Sequence, residues 1–443
     1  MLTLSHPMPH TYVGRTSISK LGWGLPMTGS DTFFLGTEAF LLGLSLICAN
    51  LLAVRKTHRQ VYLPLAFFFI AQAVNSALVV FTIVAGPDTA ALLIKLSHAL
   101  TLPIAMLQAP LLWLYVRALT VEDEEETIAR KALHLLPVIA AVGISSLYLT
   151  LPISIFNEPG AETDEITPWV QFVAIAAYGG AVLFYLQVAA YLAMIIRRLI
   201  IYNHRLKDLF ASTESRELLW IWWIAIVASI YWIFNIANIV LQLLGILTWD
   251  SLAMYPEIVA RLITVSLIWT LALWGLRQKP GLMREIDGPI ASPPLPAQSE
   301  KYKNSALTQP HSDRIAVKIN SAMERDLLYR DPNLSLWDLA KHIGVTSNYV
   351  SQTLNETIGE SFFDYVNGWR IKDAIRQMKT SRETILVLAY DVGFNSRSSF
   401  YKAFKQETGM TPSQLKRSLQ SGVTRGGSAR QAGLHPAQPV TGK

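Results

Sequence analysis

The 443-residue sequence predicts an all-α protein, in which a seven-transmembrane-helix bundle precedes a soluble helical domain. Three observations support this fold class. Hydrophobic residues make up 51% of the chain and charged residues 16%, against about 25% charged residues in a typical soluble domain. Long apolar runs fill roughly the first two thirds. The last third carries amphipathic helical patterns and an internal repeat.

The apolar runs are predicted to be membrane-spanning helices, because about 20 apolar residues cross the roughly 30 Å of hydrocarbon in a bilayer. One of them, LLWIWWIAIVASIYWIFNIANIVLQLLGIL, is apolar on every face, which is rare in a helix of a soluble protein. The seven runs lie near residues 33–54, 62–84, 91–116, 132–153, 169–196, 218–246 and 257–276.

The distribution of lysine and arginine predicts the orientation of these helices. Basic residues follow the first, third, fifth and seventh runs, whereas the loops AGPDT, NEPGAETDEITP and TWDSLAMYP contain none. The N-terminal tail contains only Arg15 and Lys20. The N-terminus is therefore predicted to lie outside the cell and the C-terminus in the cytoplasm, which agrees with an odd number of spans.

Changes in composition predict the domain boundaries. The stretch that follows the last apolar run is rich in proline, serine and alanine, as expected of an extended linker. The single cysteine, Cys48, excludes an intramolecular disulfide. We assign an external tail, a transmembrane domain, a linker, a soluble domain and a disordered tail to residues 1–32, 33–278, 279–311, 312–420 and 421–443.

The soluble domain contains a two-fold repeat. LAKHIGVTSNYVSQTLNETIG (339–359) aligns with LAYDVGFNSRSSFYKAFKQETG (388–409), and Gly344 matches Gly393. Each copy predicts a short helix, a glycine turn and a second helix, which is a helix-turn-helix unit. A helical bundle without a DNA function is the alternative. Helix caps are predicted at Ser335 with Asp338, at Thr346, at Gly409, and at Thr411 with Gln414.

Residues 312–418, about a quarter of the chain, resemble the DNA-binding domain of AraC/XylS-type bacterial transcription regulators. The segment LAYDVGFNSRSSFYKAFKQETGMTPSQLKR carries most of the resemblance. The resemblance implies two helix-turn-helix units joined by a long helix, here at about 362–378, with their second helices in successive major grooves of DNA. It also implies that the membrane is a bacterial inner membrane.

The resemblance further implies which side chains contact DNA. Arginine, lysine, asparagine, glutamine and serine can all bond to base edges in the major groove. Base-edge contacts are implied for Asn348, Ser351 and Gln352 in the first unit and for Arg397, Ser398, Ser399 and Lys402 in the second. Phosphate contacts that fix the register are implied for Ser347, Tyr349, Tyr401 and Lys405.

The first unit departs from the family pattern. It contains TLNETIG where the family usually has an aromatic residue followed by lysines. Residues 311–420 contain 15 Lys and Arg against 12 Asp and Glu. Because phosphate neutralisation provides most nonspecific affinity, this low net charge predicts weak nonspecific binding and a smaller contribution from the first unit.

Polar residues within the apolar runs are costly in lipid and cluster toward the outer half. We interpret them as a candidate ligand pocket open to the outside or to the outer leaflet. Interhelical hydrogen bonding and snorkelling to the interface are the alternative. The candidate residues are Glu38, Lys95, His98, Asn235, Asn238, Gln242, Glu257 and Arg261.

These features predict a membrane-embedded one-component transcription regulator. The expected partners are double-stranded promoter DNA, the lipid bilayer, a signal molecule or membrane protein, and RNA polymerase if it activates; a homodimer is compatible. The sequence contains no phosphate-binding glycine loop, HExxH motif or nucleophile–base spacing, so no enzyme activity, cofactor or metal is predicted. The alternatives are a transporter or membrane enzyme fused to a DNA-binding domain, and a passive anchor controlled by a partner protein.

Overall fold

The all-α fold class is confirmed by a computed structural model of the chain. Within the described residues the regular secondary structure is helical, apart from one isolated β-bridge between Phe210 and Ser335. Backbone contacts divide the chain into residues 1–203 with 217–288, and residues 204–216 with 289–443. The structure describes residues 29–56, 58–85, 87–120, 132–153, 155, 168–214, 218–243, 254–278, 309–380 and 383–420.

The first unit consists of long apolar helices. Six of them are long and apolar enough to cross a membrane, and they coincide with six of the seven predicted spans. The fourth predicted span contains a shorter helix that continues into a 3₁₀ turn at Leu147–Thr150, so the count of seven stays a prediction. The helices are α1 (Gly29–Val54), α2 (Arg59–Val84), α3 (Pro87–Thr120), α4 (Leu136–Ser146), α5 (Pro168–Leu209), α6 (Leu219–Leu243) and α7 (Met254–Arg277).

Large apolar side chains cover the outer surface of the first unit. Ile139, Ile175, Trp223 and Ile230 are each more than 60% exposed. Soluble monomers rarely expose contiguous apolar patches of more than a few hundred Å². This surface is typical of helices whose solvent is lipid.

Polar contacts join the helix ends on one side of the first unit. Arg55, just after α1, donates a 2.9 Å hydrogen bond to the Leu276 carbonyl in α7, and its guanidinium lies 4.2 Å from the ring centre of Tyr62. The Tyr62 hydroxyl donates to the Gln278 carbonyl at 2.6 Å. Trp220 Nε1 donates to Gln278 Oε1 at 3.1 Å. The ends of α1 and α7 therefore lie beside the starts of α2 and α6.

Contacts at both of its ends place α4 along α5. His134, just before α4, lies 2.7 Å from the Tyr191 hydroxyl in the second half of α5. Trp169 Nε1, at the start of α5, donates to Thr150 Oγ1 at 3.0 Å. The segment from His134 to Thr150 therefore runs antiparallel to α5 from its second half to its start.

The second unit contains shorter, amphipathic helices. Its first helix begins at Gln309, three residues before the predicted start of the soluble domain. The helices are α8 (Gln309–Glu324), α9 (Leu336–Ile343), α10 (Ser347–Gln352), α11 (Phe362–Thr380), α12 (Ile385–Asp391), α13 (Arg397–Thr408) and α14 (Pro412–Gln420). A 3₁₀ turn at Leu328–Arg330 links α8 to α9, and a π-helical turn at Thr353–Ile358 continues α10.

Two hydrophobic cores, one in each helix-turn-helix unit, share α11. The first core packs α8, α9 and α10 against Phe362 and Val366 at the start of α11. The second packs α12 and α13 against Ile371, Ala374 and Met378 in its second half. The joining helix predicted at 362–378 is therefore confirmed, and it is a structural member of both units.

A buried carboxylate fastens the turn before α9 to α11. Asp373 is 4% exposed, and its Oδ2 accepts hydrogen bonds from the Tyr329 hydroxyl at 2.9 Å and from Arg330 Nη2 at 2.8 Å. Its Oδ1 accepts from Arg376 Nη2 at 2.6 Å. Burial alone would raise the pKa of Asp373, but these hydrogen bonds outweigh it and lower the pKa below its ordinary value.

We expect this carboxylate to make the stability of the C-terminal unit depend on pH in the acid range. A carboxyl with a lowered pKa in the folded state contributes stability above its unfolded pKa of about 4, and that stability is lost as the pH falls below it. Asp373→Asn should lower the free energy of unfolding near neutral pH by about 2 kcal/mol, within the range for hydrogen bonds to a charged group, because the partners Arg330 and Arg376 are 42% and 69% exposed. Urea titrations of the full chain in detergent, followed by proteolysis of the second unit, measure this. An unchanged acid dependence in Asp373→Asn would contradict the assignment.

Candidate DNA-binding site

Local backbone signals build the first helix-turn-helix unit. The Ser335 side chain accepts from the Asp338 backbone N–H, and the Asp338 carboxylate accepts from the Ser335 backbone N–H, so the predicted capping box is confirmed. Gly344 ends α9 with φ 66°, a left-handed conformation that glycine adopts at no cost. Thr346 occupies the N-cap of α10 as predicted, but its side chain makes no capping hydrogen bond.

The predicted base-contacting residues of the first helix-turn-helix unit lie on one face of α10. Asn348 is exposed, and Ser351 and Gln352 are partly exposed. Gln352 Nε2 donates to Glu356 Oε2 at 2.9 Å, so an acidic side chain lies beside the amide that is expected to read a base. Asn355, which the prediction omitted, is exposed one turn later on the same face.

The two predicted phosphate contacts of the first unit are less exposed. Ser347 is partly exposed. The ring of Tyr349 packs against the first core and lies 5.9 Å from the ring of His311. Val350 and Leu354 on the opposite face are buried at 0% and 1% exposure and anchor the helix. This anchoring leaves the Asn348 face as the accessible one.

The second helix-turn-helix unit has a tighter turn than the first helix-turn-helix unit. Gly393 has φ 97°, and a Cβ built on it would lie 2.6 Å from the Tyr329 carbonyl oxygen. The turn of the second unit therefore packs directly on the backbone of the turn before α9. Ser396 caps α13 by accepting a hydrogen bond from the Ser399 backbone N–H.

The second recognition helix presents basic side chains. Arg397, Ser398 and Lys402 are exposed, as is Lys405 one turn further along α13. The Arg397 guanidinium lies 5.0 Å from the ring centre of Tyr401, and its Nη2 lies 3.4 Å from the Tyr401 hydroxyl. The four exposed side chains and Tyr401 form one continuous polar face.

Ser399 differs from the other predicted base contacts. Its hydroxyl donates to the Ser396 carbonyl at 2.9 Å and lies 3.0 Å from the Ser396 hydroxyl. These local bonds hold the side chain at the start of α13, where it is only partly exposed. Its position in the repeat corresponds to Tyr349, which is also partly buried, so this is the inner edge of the recognition face.

Tyr401 links α13 to the last helix. Its hydroxyl lies 3.2 Å from the Ser413 hydroxyl at the start of α14. Hydrogen bonds from Ser413 and then from Arg397 lower the pKa of Tyr401 below its ordinary value. The predicted capping box of α14 is confirmed, since Thr411 Oγ1 accepts from the Gln414 backbone N–H at 3.3 Å and Gln414 Oε1 accepts from the Thr411 backbone N–H at 2.9 Å.

Comparison with known proteins identifies this arrangement. Residues 339–418 match the model of a family described as a helix-turn-helix domain. A putative AraC-like transcription regulator of Streptomyces lividans is 33% identical over 93 residues, which are 20% of this chain and 30% of that protein. The C-terminal domain is an AraC-type helix-turn-helix domain. No solved structure matches the chain.

The family match lies within the C-terminal domain, and the relatives described here match about a fifth of the chain. An uncharacterized transcriptional regulatory protein, YesN of Bacillus subtilis (strain 168), is 32% identical over 99 residues, which are 22% of this chain and 27% of that protein. An uncharacterized HTH-type transcriptional regulator of Staphylococcus aureus (strain COL) is 31% identical over 99 residues, which are 22% of this chain and 13% of that protein. The chain thus spans less than a third of the length of these relatives.

The two recognition helices of the AraC-type domain differ in charge. Over α13 the basic residues are Arg397, Lys402 and Lys405, with Glu407 as the acidic one. Over α10 and its π-helical continuation there is no basic residue, and Glu356 is acidic. Because cations supply the attraction to phosphates, we expect the second helix-turn-helix unit to attract DNA more strongly than the first.

The polar residues predicted for a ligand pocket separate into two described groups. Glu38 in α1 forms an ion pair with Arg261 in α7, and Glu38 is 2% exposed. Lys95 Nζ in α3 donates to the Leu151 carbonyl at 2.7 Å, and the His98 ring lies 5.3 Å from the ring of Tyr148. Each group therefore joins two segments of the N-terminal unit of long apolar helices.

Of the remaining candidates, Asn235 is the one whose side chain the structure describes. Asn235 Nδ2 donates to the Tyr231 carbonyl within α6 at 2.8 Å. The side chains of Asn238, Gln242 and Glu257 lie outside the described part of the structure. One carboxylate oxygen of Glu38 is buried without a hydrogen-bond partner among the described residues, and a buried carboxylate oxygen normally has such a partner.

Proposed function

We propose that the chain is a membrane-embedded one-component transcription regulator. Seven helices hold it in the bacterial inner membrane and receive a signal, and the cytoplasmic AraC-type domain binds promoter DNA sequence-specifically. The observation that carries the proposal is the presence, in one polypeptide, of six apolar helices of membrane-spanning length and an AraC-type domain. RNA polymerase, if the protein activates, and a second copy of the chain are further proposed partners.

The seven-span topology is supported by contacts within the N-terminal unit of long apolar helices. The segment from His134 to Thr150 runs along α5 between two ordered contacts, as a fourth crossing requires. Arg55 follows α1, and Arg277 is the last residue of α7, on the side where these two helices end together. Basic residues mark the cytoplasmic side, so this geometry supports an external N-terminus and a cytoplasmic C-terminus.

Genome-wide DNA occupancy of the full-length protein tests the function. We expect discrete occupied promoters, with the protein recovered entirely in the membrane fraction, and cytoplasmic activity of a reporter fused behind Lys443. A periplasmic reporter or the absence of any occupied promoter would contradict the proposal. Transport or turnover by vesicles that contain a chain lacking residues 281–443 would instead favour a transporter or membrane enzyme fused to a DNA-binding domain.

The buried Glu38–Arg261 pair is the proposed centre of signal recognition. We expect Arg261→Leu to reduce the response to the inducing signal by about tenfold, within the range of couplings between two sites. A reporter behind an occupied promoter measures the response, and membrane fractionation checks insertion. The matched control is Leu262→Ala at the neighbouring, 50% exposed position. An unchanged response in inserted Arg261→Leu and Lys95→Leu proteins would eliminate the pocket.

A further inference from the structure

Residues 204–214 follow the predicted fifth span in the sequence but fold as part of the C-terminal unit. Loops normally lie on the surface, because their backbone polar groups need water. Here Phe210, Ala211 and Thr213, in the loop that follows α5, are 4%, 1% and 5% exposed, and Leu206 in the last turns of α5 is 0% exposed. This degree of burial requires specific partners within the C-terminal unit, and we refer to residues 204–214 as the docking segment.

The docking segment pairs with the residues that open the first helix-turn-helix unit. The Ala211 backbone N–H donates to the Leu334 carbonyl at 3.1 Å, and Phe210 forms an antiparallel bridge with Ser335, the N-cap of α9. The Phe210 ring packs edge-on against Trp337 at 5.5 Å. Backbone pairing and an aromatic contact together fix the register of the segment on α9.

The docking segment also completes the hydrogen bonding of a buried arginine in α11. Arg370 is fully buried, and its Nη1 donates to the Ala211 carbonyl at 3.1 Å and to Ser212 Oγ at 3.3 Å. Burial lowers the pKa of Arg370 to about 10, while the charges of Asp331 and Glu214 oppose this change. A buried guanidinium needs acceptors for its N–H groups, and two of them come from the segment.

The same arginine joins the two helix-turn-helix units. Its Nε donates to the Tyr329 carbonyl at 2.7 Å and its Nη2 to the Asp331 carbonyl at 2.8 Å, both in the turn before α9. Its guanidinium lies 5.5 Å from the ring centre of Phe394, in the turn of the second unit. Arg370 thus connects the docking segment, the first unit and the second unit at one point.

We propose that the docking segment sets the relative orientation of the two helix-turn-helix units and thereby controls whether both can bind DNA. This inference rests on the proposed function and names its route of regulation. If the segment leaves, Arg370 loses two acceptors, and the junction that holds Phe394 loosens. The segment contacts Leu334, Ser335, Trp337 and Arg370, and its Lys207 ammonium lies 5.9 Å from the ring centre of Phe363. With the segment in place, Asn348, Arg397 and Lys402 are exposed, so docking leaves the recognition faces accessible.

The segment is also covalently continuous with the membrane unit. Residues 204–209 are the last turns of α5, which begins at Pro168. A displacement of α5 therefore acts directly on the backbone that bonds to Arg370. Two recognition helices must keep a fixed spacing to enter successive major grooves. A small shift of the segment is sufficient to change a two-site binder into a one-site binder.

Phe210→Ala in the full chain, reconstituted in lipid nanodiscs, tests the proposal. We expect amide hydrogen exchange in α9 and α11 to accelerate by about tenfold or more, because a buried aromatic anchor is lost. Promoter affinity should fall by about tenfold, and the DNase footprint should contract from two major grooves to one. His204→Ala, an exposed substitution in the same segment, is the matched control and should leave both measurements unchanged.

A second variant covers the case in which Phe210→Ala does not fold. Glu214→Lys places a positive charge at an exposed position near Arg370 and should accelerate exchange in α11 by about twofold to fivefold. Wild-type exchange in α9 and α11 of either folded variant would overturn the proposal. Absence of DNA binding by the wild-type protein would instead refute the proposed function, because the exchange measurement does not depend on DNA.

Discussion

Replacing Gly393 with alanine is expected to lower the free energy of unfolding of the second helix-turn-helix unit by about 3 kcal/mol or more. Gly393 has φ 97°, where a residue with a Cβ is strained. The added Cβ would also lie 2.6 Å from the Tyr329 carbonyl oxygen and 2.8 Å from that of Arg330. Both are backbone atoms, so no side-chain rotation relieves the clash and the two units must separate.

The equivalent glycine of the first unit is the matched control. Gly344 also has a positive φ, 66°, but no atom lies within 4 Å of a Cβ built on it. Gly344→Ala should therefore cost only the backbone term, about 1 kcal/mol. Hydrogen exchange of α12 and α13 against α9, in the full chain in detergent, separates the two effects. Equal losses in both variants would show that the contact under Gly393 carries no energy.

Gly344 and Gly393 show that a local sequence pattern predicts turn positions but does not predict contacts between residues far apart in the chain. Both were predicted as turn positions, because a glycine after a short amphipathic helix is a local signal. The capping box at Ser335 and Asp338 and the N-terminus of α14 at Thr411 were predicted for the same reason. The approach of Gly393 to Tyr329 joins residues 64 positions apart, and no local pattern in the sequence indicates it.

The end of α5 was not predicted for a related reason. The hydropathy pattern predicts that the fifth span ends at residue 196, but the helix continues to Leu209 through RRLIIYNHRLKDL. This stretch is amphipathic rather than uniformly apolar, and Leu199, Tyr202 and Leu206 on one face are buried. A hydropathy average detects lipid-facing helices and overlooks a helix whose apolar face packs on protein.

The candidate DNA contacts were predictable to the extent that they follow helical periodicity. Asn348, Arg397 and Lys402 lie on exposed faces, as expected from the repeat. The resemblance implied a base contact for Ser399, whose hydroxyl bonds to Ser396 at the start of α13, so this contact stays a prediction. Asn355 was omitted, although its alignment with Lys405 in the repeat could have found it. Position within the repeat therefore predicts which side chains are exposed, whereas the local hydrogen bonds of a side chain are known only from the structure.

Arg397→Ala is expected to reduce promoter affinity by about tenfold to a hundredfold, since a bidentate arginine–guanine pair provides roughly 1–3 kcal/mol of discrimination. The Arg397 guanidinium is held over the Tyr401 ring at 5.0 Å, and Tyr401 is fixed by Ser413. This support lowers the entropy lost on binding. Gel-shift titrations of the full chain in nanodiscs, at one salt concentration, compare an occupied promoter with a random duplex.

The comparison substitution in the first helix-turn-helix unit is Asn348→Ala, which we expect to cost only about twofold to fivefold, because α10 has no basic residue and Gln352 is bonded to Glu356. Arg397→Lys separates charge from geometry: it keeps the cation but loses the planar pair of donors, so affinity for the random duplex should persist while promoter preference falls. If Arg397→Ala weakens both duplexes equally, Arg397 contacts phosphate rather than a base. Sequence preference must then come from Ser398 and Lys402 or from the deformability of the DNA.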